Sequence, residues 1–341
     1  MIKVLVVDDS ALVRQLLTHM LSQAPDIKVV GSAEDPYEAR DKIKSLNPDV
    51  LTLDVEMPKM DGIAFLRNLM KLRPMPVVMI STLTEKGAAI TLEALSLGAV
   101  DYIAKPKNDL SNKLVEYQDE LLDKIRLAAR CRIRATPILP SQPEPQPGLK
   151  LKNRLIAIGA STGGTEAIAQ VVSQLPENFP PIVIAQHIPA AFSASFARRL
   201  DSKSAMTVQE ASGNEMLKNG NVYVAPGDKH LVVVRRGAHL YTMLQDSEPV
   251  NRHKPSVEVL FNSIADCAAK TTIGVMLTGM GKDGADGMLN MLNQGAYTLA
   301  QDEASSVVWG MPGASVDVGA VQEQQPLSRI ASRLLELLKV D

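Results

Sequence analysis

The stretch RLIAIGASTGGTEAI, residues 154–168, decides the fold of the second half of the chain. A short apolar run leads into a turn rich in glycine, and the apolar residues after the turn have helical spacing. This order predicts a strand, a tight turn and a helix, the repeating unit of an α/β domain. The turn has two chemical interpretations. Its glycines are typical of a loop that cradles a phosphate, whereas Gly159, Ser161 and Gly163 form G-x-S-x-G, a turn that presents a nucleophilic serine.

The residues that follow this stretch repeat the same α/β pattern. Three further apolar runs, PIVIAQ, TIGVMLT and AYTLAQ, are separated by segments with helical spacing, which predicts a mainly parallel sheet. Between them lie three closely spaced runs, NVYVAP, HLVVVRR and HLYTML, punctuated by Pro-Gly and Arg-Gly. Their spacing predicts a small antiparallel excursion from the main sheet.

The first half of the chain shows the strand and helix pattern five times. The apolar runs IKVLVV, IKVVGSA, VLTLD, PVVMIS and VDYIAK each precede a helical segment, and the last helix is expected over about 110–134. Residues 135–150 are proline-rich and have no apolar period, so they are expected to form a stiff linker. We therefore predict two doubly wound parallel-sheet domains, 1–134 and 151–341, joined by the linker 135–150.

Composition argues against several functional classes. The formal net charge of −2 over 341 residues provides no electrostatic attraction to nucleic acid. No run approaches the ~20 apolar residues of a membrane span, so no membrane insertion is expected. The two cysteines, Cys131 and Cys267, lack C-x-x-C spacing and predict neither a zinc site nor a disulfide framework. With no signal peptide visible in MIKVLVVDDS, the expected location is the cytoplasm.

Polar residues lie at the ends of four strands of the first predicted sheet. Asp8 and Asp9 come directly after the first strand, and Asp54 ends the third. Because the carboxyl ends of parallel strands share one edge, these carboxylates should converge and suit Mg²⁺. Ser81 and Lys105 end the fourth and fifth strands and add a hydroxyl and a cation. The set predicts a pocket that accepts a phosphoryl group.

The motifs VDDS, LDVEMPKMDG, MIST and AKP resemble the response-regulator receiver domain of two-component signalling. The resemblance implies a flavodoxin-like (βα)5 fold and a histidine kinase as phosphodonor. It implies Asp54 as the phosphoryl acceptor and Ser81, Tyr102 and Lys105 as switch residues. Around Mg²⁺ it implies the metal set Asp8, Asp9, Asp54 and the backbone of Glu56.

In the second half, the nucleotide interpretation of the glycine-rich turn lacks its partners. A dinucleotide fold needs an acidic residue at the end of its second strand, but PIVIAQH ends in Gln186 and His187. A P-loop needs a lysine after its glycines, and Gly164 is followed by Thr165. His187 instead supports the serine interpretation, because an imidazole on the same sheet edge can accept the proton of Ser161.

A third member of a catalytic triad must be an acid that orients the imidazole. The segment TIGVMLTGMGKDGADG supplies Asp283, with Asp286 as a rival. Its glycines allow tight turns, so amides near Met280 are candidates to stabilise an oxyanion. His253 is the best rival to His187 as the histidine of the triad, although NRHKPS could instead form a loop that faces the substrate.

The motifs GASTGGTEAI, AQHIP, APGDKH, NRHKPSV, LTGMGKDGADGM and GMPGAS resemble the catalytic domain of the chemotaxis protein-glutamate methylesterase family, CheB. The resemblance implies Ser161 as nucleophile, His187 as base and Asp283 as orienting acid, with the Met280 amide and Thr162 near the oxyanion. It implies an esterase without a cofactor that hydrolyses γ-glutamyl methyl esters of chemoreceptors, deamidates receptor glutamines and is activated by phosphorylation. The alternative is a receiver-controlled binding module without chemistry.

Overall fold

The computed structural model describes residues 1–57, 61–82, 84–105, 114–131 and 150–340, apart from the side chain at 116. The chain divides into two compact units, Met1–Ile138 and Leu139–Asp341. Residues 135–149 of the expected linker lie outside the described part, as do both ends of the helix expected over 110–134.

The first unit is a five-stranded parallel sheet with the strand order β2-β1-β3-β4-β5. Each strand leads into a helix, as the fivefold sequence pattern predicts. The strands are β1 Ile2–Val7, β2 Ile27–Ala33, β3 Val50–Asp54, β4 Val77–Ser81 and β5 Asp101–Ala104. The helices are α1 Ala11–Ser22, α2 Pro36–Leu46, α3 Gly62–Leu72, α4 Glu85–Ser96 and α5 Leu114–Arg130.

Local sequence explains where these elements begin and what they bury. Side chains of Ser10, Asp35 and Asp61 accept backbone N–H groups at the starts of α1, α2 and α3, which satisfies donors that a helix end leaves open. All residues of β3 and β4 are buried, as expected for central strands of a parallel sheet. Leu21 of α1 and Ile125 of α5 belong to one core cluster with the sheet.

The second unit is a seven-stranded parallel sheet with the order β14-β13-β12-β6-β7-β9-β8. The strands are β6 Leu155–Ala160, β7 Ile182–Gln186, β8 Thr207–Glu210, β9 Asn221–Val224, β12 Thr272–Met276, β13 Tyr297–Gln301 and β14 Glu323–Gln325. The helices are α6 Gly164–Val172, α7 Ala190–Asp201, α8 Val257–Cys267, α9 Ala285–Asn293, α10 Met311–Asp317 and α11 Leu327–Leu338. The α/β fold with two parallel sheets is therefore confirmed.

The antiparallel excursion is smaller than expected. It consists of β10 His230–Arg236 and β11 His239–Gln245, which form a two-stranded sheet separate from the main one. The expectation that NVYVAP belongs to it was wrong, because β9 lies in the main sheet, parallel to both β7 and β8. Close spacing along the chain suggested a hairpin, but β9 buries Val222 and Val224 in the main sheet instead.

Among the described helices, none combines the length and the apolar character that crossing a bilayer would require.

Candidate active site and acidic pocket

Ser161 lies in the turn that joins β6 to α6. Its backbone N–H donates to the carbonyl of Thr278 at 3.0 Å, and its own carbonyl accepts the N–H of Gly164 at 2.7 Å. Gly163 enters the helix with φ +75°, and a Cβ at that position would approach Val307 Cβ to 2.8 Å. Glycine is required there both by the left-handed backbone and by this close approach. The tight turn leaves the serine hydroxyl at the carboxyl edge of the sheet.

His187 follows β7 directly and lies between the serine and an acid. Its Nδ1 atom is 3.1 Å from Ser161 Oγ, and its Nε2 atom is 2.8 Å from Asp283 Oδ2. An ionised carboxylate can only accept, so Nε2 must carry the proton. Nδ1 is then unprotonated and able to accept a hydrogen bond from the serine hydroxyl. Only 8% of the imidazole is exposed.

Asp283 is buried and accepts four hydrogen bonds. Its Oδ2 atom receives His187 Nε2 and the Val257 N–H, the latter at 2.7 Å. Its Oδ1 atom receives Asn251 Nδ2 at 2.9 Å and Ser256 Oγ at 2.8 Å. Burial by itself raises the pKa of Asp283, but the hydrogen bond and charge of His187, with the bonds from Asn251 and Ser256, lower it to about 2. The carboxylate is therefore ionised at neutral pH.

The two rivals that the sequence left open take other positions. Asp286 is exposed in the first turn of α9. His253 stacks on His187, with ring centroids 3.6 Å apart and an angle of 11° between the ring planes. Asp283 is thus the acid that the structure brings to the imidazole, and the second histidine covers a face of the first.

The two oxyanion candidates lie on the two turns that meet at Ser161. A Cβ on Gly279 would approach Ser161 Cβ to 2.9 Å, so the backbone that leads to Met280 runs beside the serine. The Met280 N–H has no acceptor in the part of the chain that the structure describes. The Thr162 carbonyl accepts Thr278 Oγ1 at 3.0 Å, which ties the serine turn to the segment after β12.

The acidic residues of the first unit converge as the strand ends predict. Each of Asp8, Asp9 and Asp54 offers an oxygen, and these oxygens lie within 4.8 Å of one another. Lys105 Nζ is 2.7 Å from Asp54 Oδ2 and 3.4 Å from Asp8 Oδ2. The Glu56 N–H donates to Asp54 Oδ1 at 3.2 Å. Four of the predicted pocket residues therefore meet at one edge, with Glu56 beside them.

The pocket fits a hard divalent cation. Burial raises the pKa of Asp54 to about 6 although Lys105 opposes the change, and burial also raises the pKa of Asp8. Asp8 Oδ2 is buried and accepts no hydrogen bond within the described residues, and its contact there with a cation is the ion pair with Lys105 Nζ at 3.4 Å. A cation with oxygen ligands would satisfy this oxygen and offset the crowding of carboxylates.

Two further predicted switch residues are buried nearby. Ser81 Oγ accepts a hydrogen bond from the Thr91 hydroxyl at 2.6 Å, and Thr91 lies in the second turn of α4. The Tyr102 ring is buried with Lys124 Nζ 5.0 Å from its centroid. Burial raises the pKa of Tyr102 far above its usual range, so the phenol stays protonated.

Comparison with known proteins decides the family. A model of the CheB methylesterase family matches residues 156–334, and a model of the response regulator receiver domain matches residues 4–115. The chain belongs to the CheB methylesterase family. It is 55% identical to protein-glutamate methylesterase/protein-glutamine glutaminase 1 of Xanthomonas campestris pv. campestris, over 98% of this chain and 97% of that relative. The relative of the same name from Hahella chejuensis is also 55% identical, over 97% of this chain and 94% of the relative.

A solved structure supports the fold assignment of the CheB half. The crystal structure of the Thermotoga maritima CheB methylesterase catalytic domain is similar to this chain with a TM-score of 0.53 and 38% sequence identity. The match covers 55% of this chain and 100% of that one. The predicted family is therefore confirmed for both halves.

Sequence reasoning missed several contacts within the CheB site. Gln186 Nε2 donates to the carbonyl of Ser161 at 2.9 Å and to that of His187 at 3.1 Å, which links the two strand ends. Asn251 and Ser256, which donate to Asp283, also went unnoticed. For Ser256 a signal exists, because a serine before the helical run VEVLFNSIAD is a typical N-cap. No sequence signal points from Asn251 to an acid 32 residues away.

Proposed function

We propose that the chain is a protein-glutamate methylesterase that also acts as a protein-glutamine glutaminase. The observation that carries the proposal is the continuous hydrogen-bonded chain from Ser161 through His187 to Asp283, at 3.1 and 2.8 Å. Such a chain activates a serine for attack on an acyl carbon. The names of the relatives indicate which acyl group is attacked, a γ-glutamyl methyl ester or a glutamine side chain.

In the proposed reaction, His187 Nδ1 removes the hydroxyl proton as Ser161 Oγ attacks the ester carbonyl. Asp283 stabilises the imidazolium that forms, through its bond to Nε2. The Met280 amide, on a turn that the Thr162 carbonyl helps to anchor, donates to the oxyanion. As the intermediate collapses and the bond to the methoxide oxygen breaks, His187 protonates that oxygen, and methanol leaves. Water attacks the acyl group left on Ser161 in the same way and releases the glutamate. A primary amide passes through an equivalent intermediate and releases ammonia.

The first unit is proposed to control this activity through phosphorylation of Asp54. Asp8, Asp9, Asp54 and the Glu56 backbone would hold Mg²⁺, which supplies charge neutralisation for the incoming phosphoryl group. Lys105 approaches the acceptor carboxylate at 2.7 Å and can pair with a phosphoryl oxygen instead. Ser81 and Tyr102 would then change position as switch residues. We infer a histidine kinase as phosphodonor, chemoreceptors as substrates and a cytoplasmic location.

Methanol release from methylated receptor membranes tests the proposal. We expect release by the wild-type chain, an increase when acetyl phosphate and Mg²⁺ are added, and no release by Ser161→Ala. The variant Asp54→Asn should retain basal release without the increase. Equal release by Ser161→Ala and wild type would contradict the esterase mechanism, and an increase that persists in Asp54→Asn would contradict the control by phosphorylation.

A further inference from the structure

The loop between β11 and α8 makes an unusual turn next to the imidazole. Val250 and His253 exchange both backbone hydrogen bonds, at 3.1 and 2.9 Å, and enclose a two-residue turn. Asn251 and Arg252, the central residues, have φ values of 53° and 69°. This left-handed conformation is uncommon for a residue with a side chain and least costly for asparagine or glycine. The loop therefore maintains a conformation that an arginine does not favour.

This turn contacts the base and the acid at the same time. The His253 ring lies parallel to the His187 ring at 3.6 Å, while Asn251 Nδ2 donates to Asp283 Oδ1 at 2.9 Å. Three residues further along, Ser256 Oγ donates to the same oxygen at 2.8 Å. The unfavourable backbone conformation thus coincides with two side chains that reach the proposed catalytic groups.

The carboxylate alone does not fix the orientation of the imidazole. A hydrogen bond at Nε2 holds one edge of the His187 ring, but the ring can still tilt about that bond and move Nδ1 away from Ser161 Oγ. A flat group against the ring face removes this freedom. It also keeps water from that face, in agreement with the low exposure of the His187 side chain, 8%.

We propose that His253 is a positioning residue, which holds the plane of His187 so that Nδ1 points at Ser161. The inference rests on the proposed function, since it concerns the base of that reaction. His253 acts through ring stacking, so a flat aromatic ring should replace it, whereas a small side chain should not. A stacked aromatic face also favours the imidazolium that forms when the serine attacks.

The test compares His253→Ala and His253→Phe in the full-length chain, with His239→Ala as control. His239 is an exposed histidine at the start of β11. A small serine-directed organophosphonate reports the reactivity of Ser161 without a receptor, by the rate at which the adduct appears in the intact mass. Methanol release then separates kcat from KM.

We expect His253→Ala to lower the phosphonylation rate and kcat by about 10- to 100-fold, as a small misplacement of a catalytic group does. KM should stay within about twofold, because no substrate contact is lost. His253→Phe should remain within about threefold of wild type because it keeps the stack. His239→Ala should behave as wild type.

Two results would overturn the inference. A wild-type phosphonylation rate in His253→Ala would show that the stacked ring is not needed. An equal decrease of the rate in His253→Ala and His253→Phe would show that a flat ring at this position does not orient His187. If His253→Ala does not fold, by circular dichroism, His253→Leu takes its place in the same comparison with His253→Phe. An unreactive Ser161 in the wild-type chain would instead refute the proposed esterase itself.

Discussion

Replacing Asp283 with asparagine is expected to leave a weakened but correctly oriented catalytic site. The reason lies in the four donors around the carboxylate. The backbone N–H of Val257 cannot change its character, so it requires an oxygen at the Oδ2 position. The donors at the other position can adapt, because the Asn251 amide can flip and the Ser256 hydroxyl can rotate to accept. The new amide group therefore turns its NH₂ toward Asn251 and Ser256.

In that orientation the asparagine oxygen still accepts the proton on His187 Nε2, and Nδ1 still faces Ser161. What is lost is the negative charge beside the imidazolium, whose Nε2 atom is 2.8 Å from Asp283 Oδ2. At an effective dielectric of about 20, two unit charges about 4 Å apart attract each other by about 4 kcal/mol, which corresponds to about 10³-fold in rate. Asp283→Ala also loses the tautomer selection and leaves the Val257 N–H unsatisfied, so we expect a loss of about 10⁴-fold or more.

The phosphonylation rate of Ser161 in the full-length chain measures both variants on one scale. Nitrogen-15 NMR of histidine adds a second measurement, because it identifies which ring nitrogen of His187 carries the proton. We expect Asp283→Asn to react at least about tenfold faster than Asp283→Ala, the difference between losses of about 10³- and 10⁴-fold. The proton should stay on Nε2, because the Val257 N–H requires an oxygen at the Oδ2 position. Equal rates for the two variants, or a proton on Nδ1 in Asp283→Asn, would refute the reasoning from the fixed Val257 donor.

Two further predictions concern stability and packing. Because the pKa of Asp54 rises from 3.8 to about 6 on folding, ionisation of the carboxyl destabilises the first unit as pH increases through this range, by at most about 3 kcal/mol. With Mg²⁺ chelated, Asp54→Asn should therefore slow hydrogen exchange in β3 relative to wild type at pH 8. If exchange in the variant is slower by the same factor at pH 4, where the wild-type carboxyl is protonated, ionisation of Asp54 is not the cause. Gly279→Ala should slow phosphonylation of Ser161 by about 10²-fold, because its Cβ would approach Ser161 Cβ to 2.9 Å and would overlap Met311 Sδ. Gly237→Ala is the control for general destabilisation, because its Cβ would meet nothing within 4 Å although its φ of +60° disfavours alanine; equal rates in the two variants would exclude the steric cause.

Sequence reasoning predicted the strand ends because each carries a strong local signal. A polar residue directly after a buried apolar run, such as Asp54 or His187, has to lie at the carboxyl edge of a parallel sheet. Strand pairing has no comparable signal, because alternation of side chains does not identify the neighbouring strand. This is why β9 was expected in the excursion. The short polar strands β8 and β14, TVQE and EQQ, were not predicted because they lack an apolar run.

The loop that supports the acid was beyond prediction for a different reason. Its turn uses Asn251 and Arg252 in left-handed conformations without any glycine to indicate it. The contact of His253 with His187 joins residues 66 positions apart in the sequence and depends on this turn. Long-range contacts of this kind arise from tertiary packing, so the sequence could identify His253 as a candidate but could not assign its partner.

The two units place different chemistry at the same topological feature. In the first sheet the chain moves from β1 to β2 on one side and later adds β3 on the other. In the second it moves from β6 to β7 on one side and later adds β12 on the other. Loops that leave two such neighbouring strands diverge and open a crevice, the position at which doubly wound sheets bind ligands. Asp8 and Asp54 lie at or just after the ends of β1 and β3, and Ser161 and Asp283 lie in the segments that follow β6 and β12.

The crevice is therefore a consequence of strand order, whereas the reaction depends on the few side chains that follow the strands. Three carboxylates and an amine suit a phosphoryl group, and a hydroxyl, an imidazole and one carboxylate suit an acyl group. It follows that Ser161→Ala should abolish the reaction while the buried strands that form the crevice keep their packing.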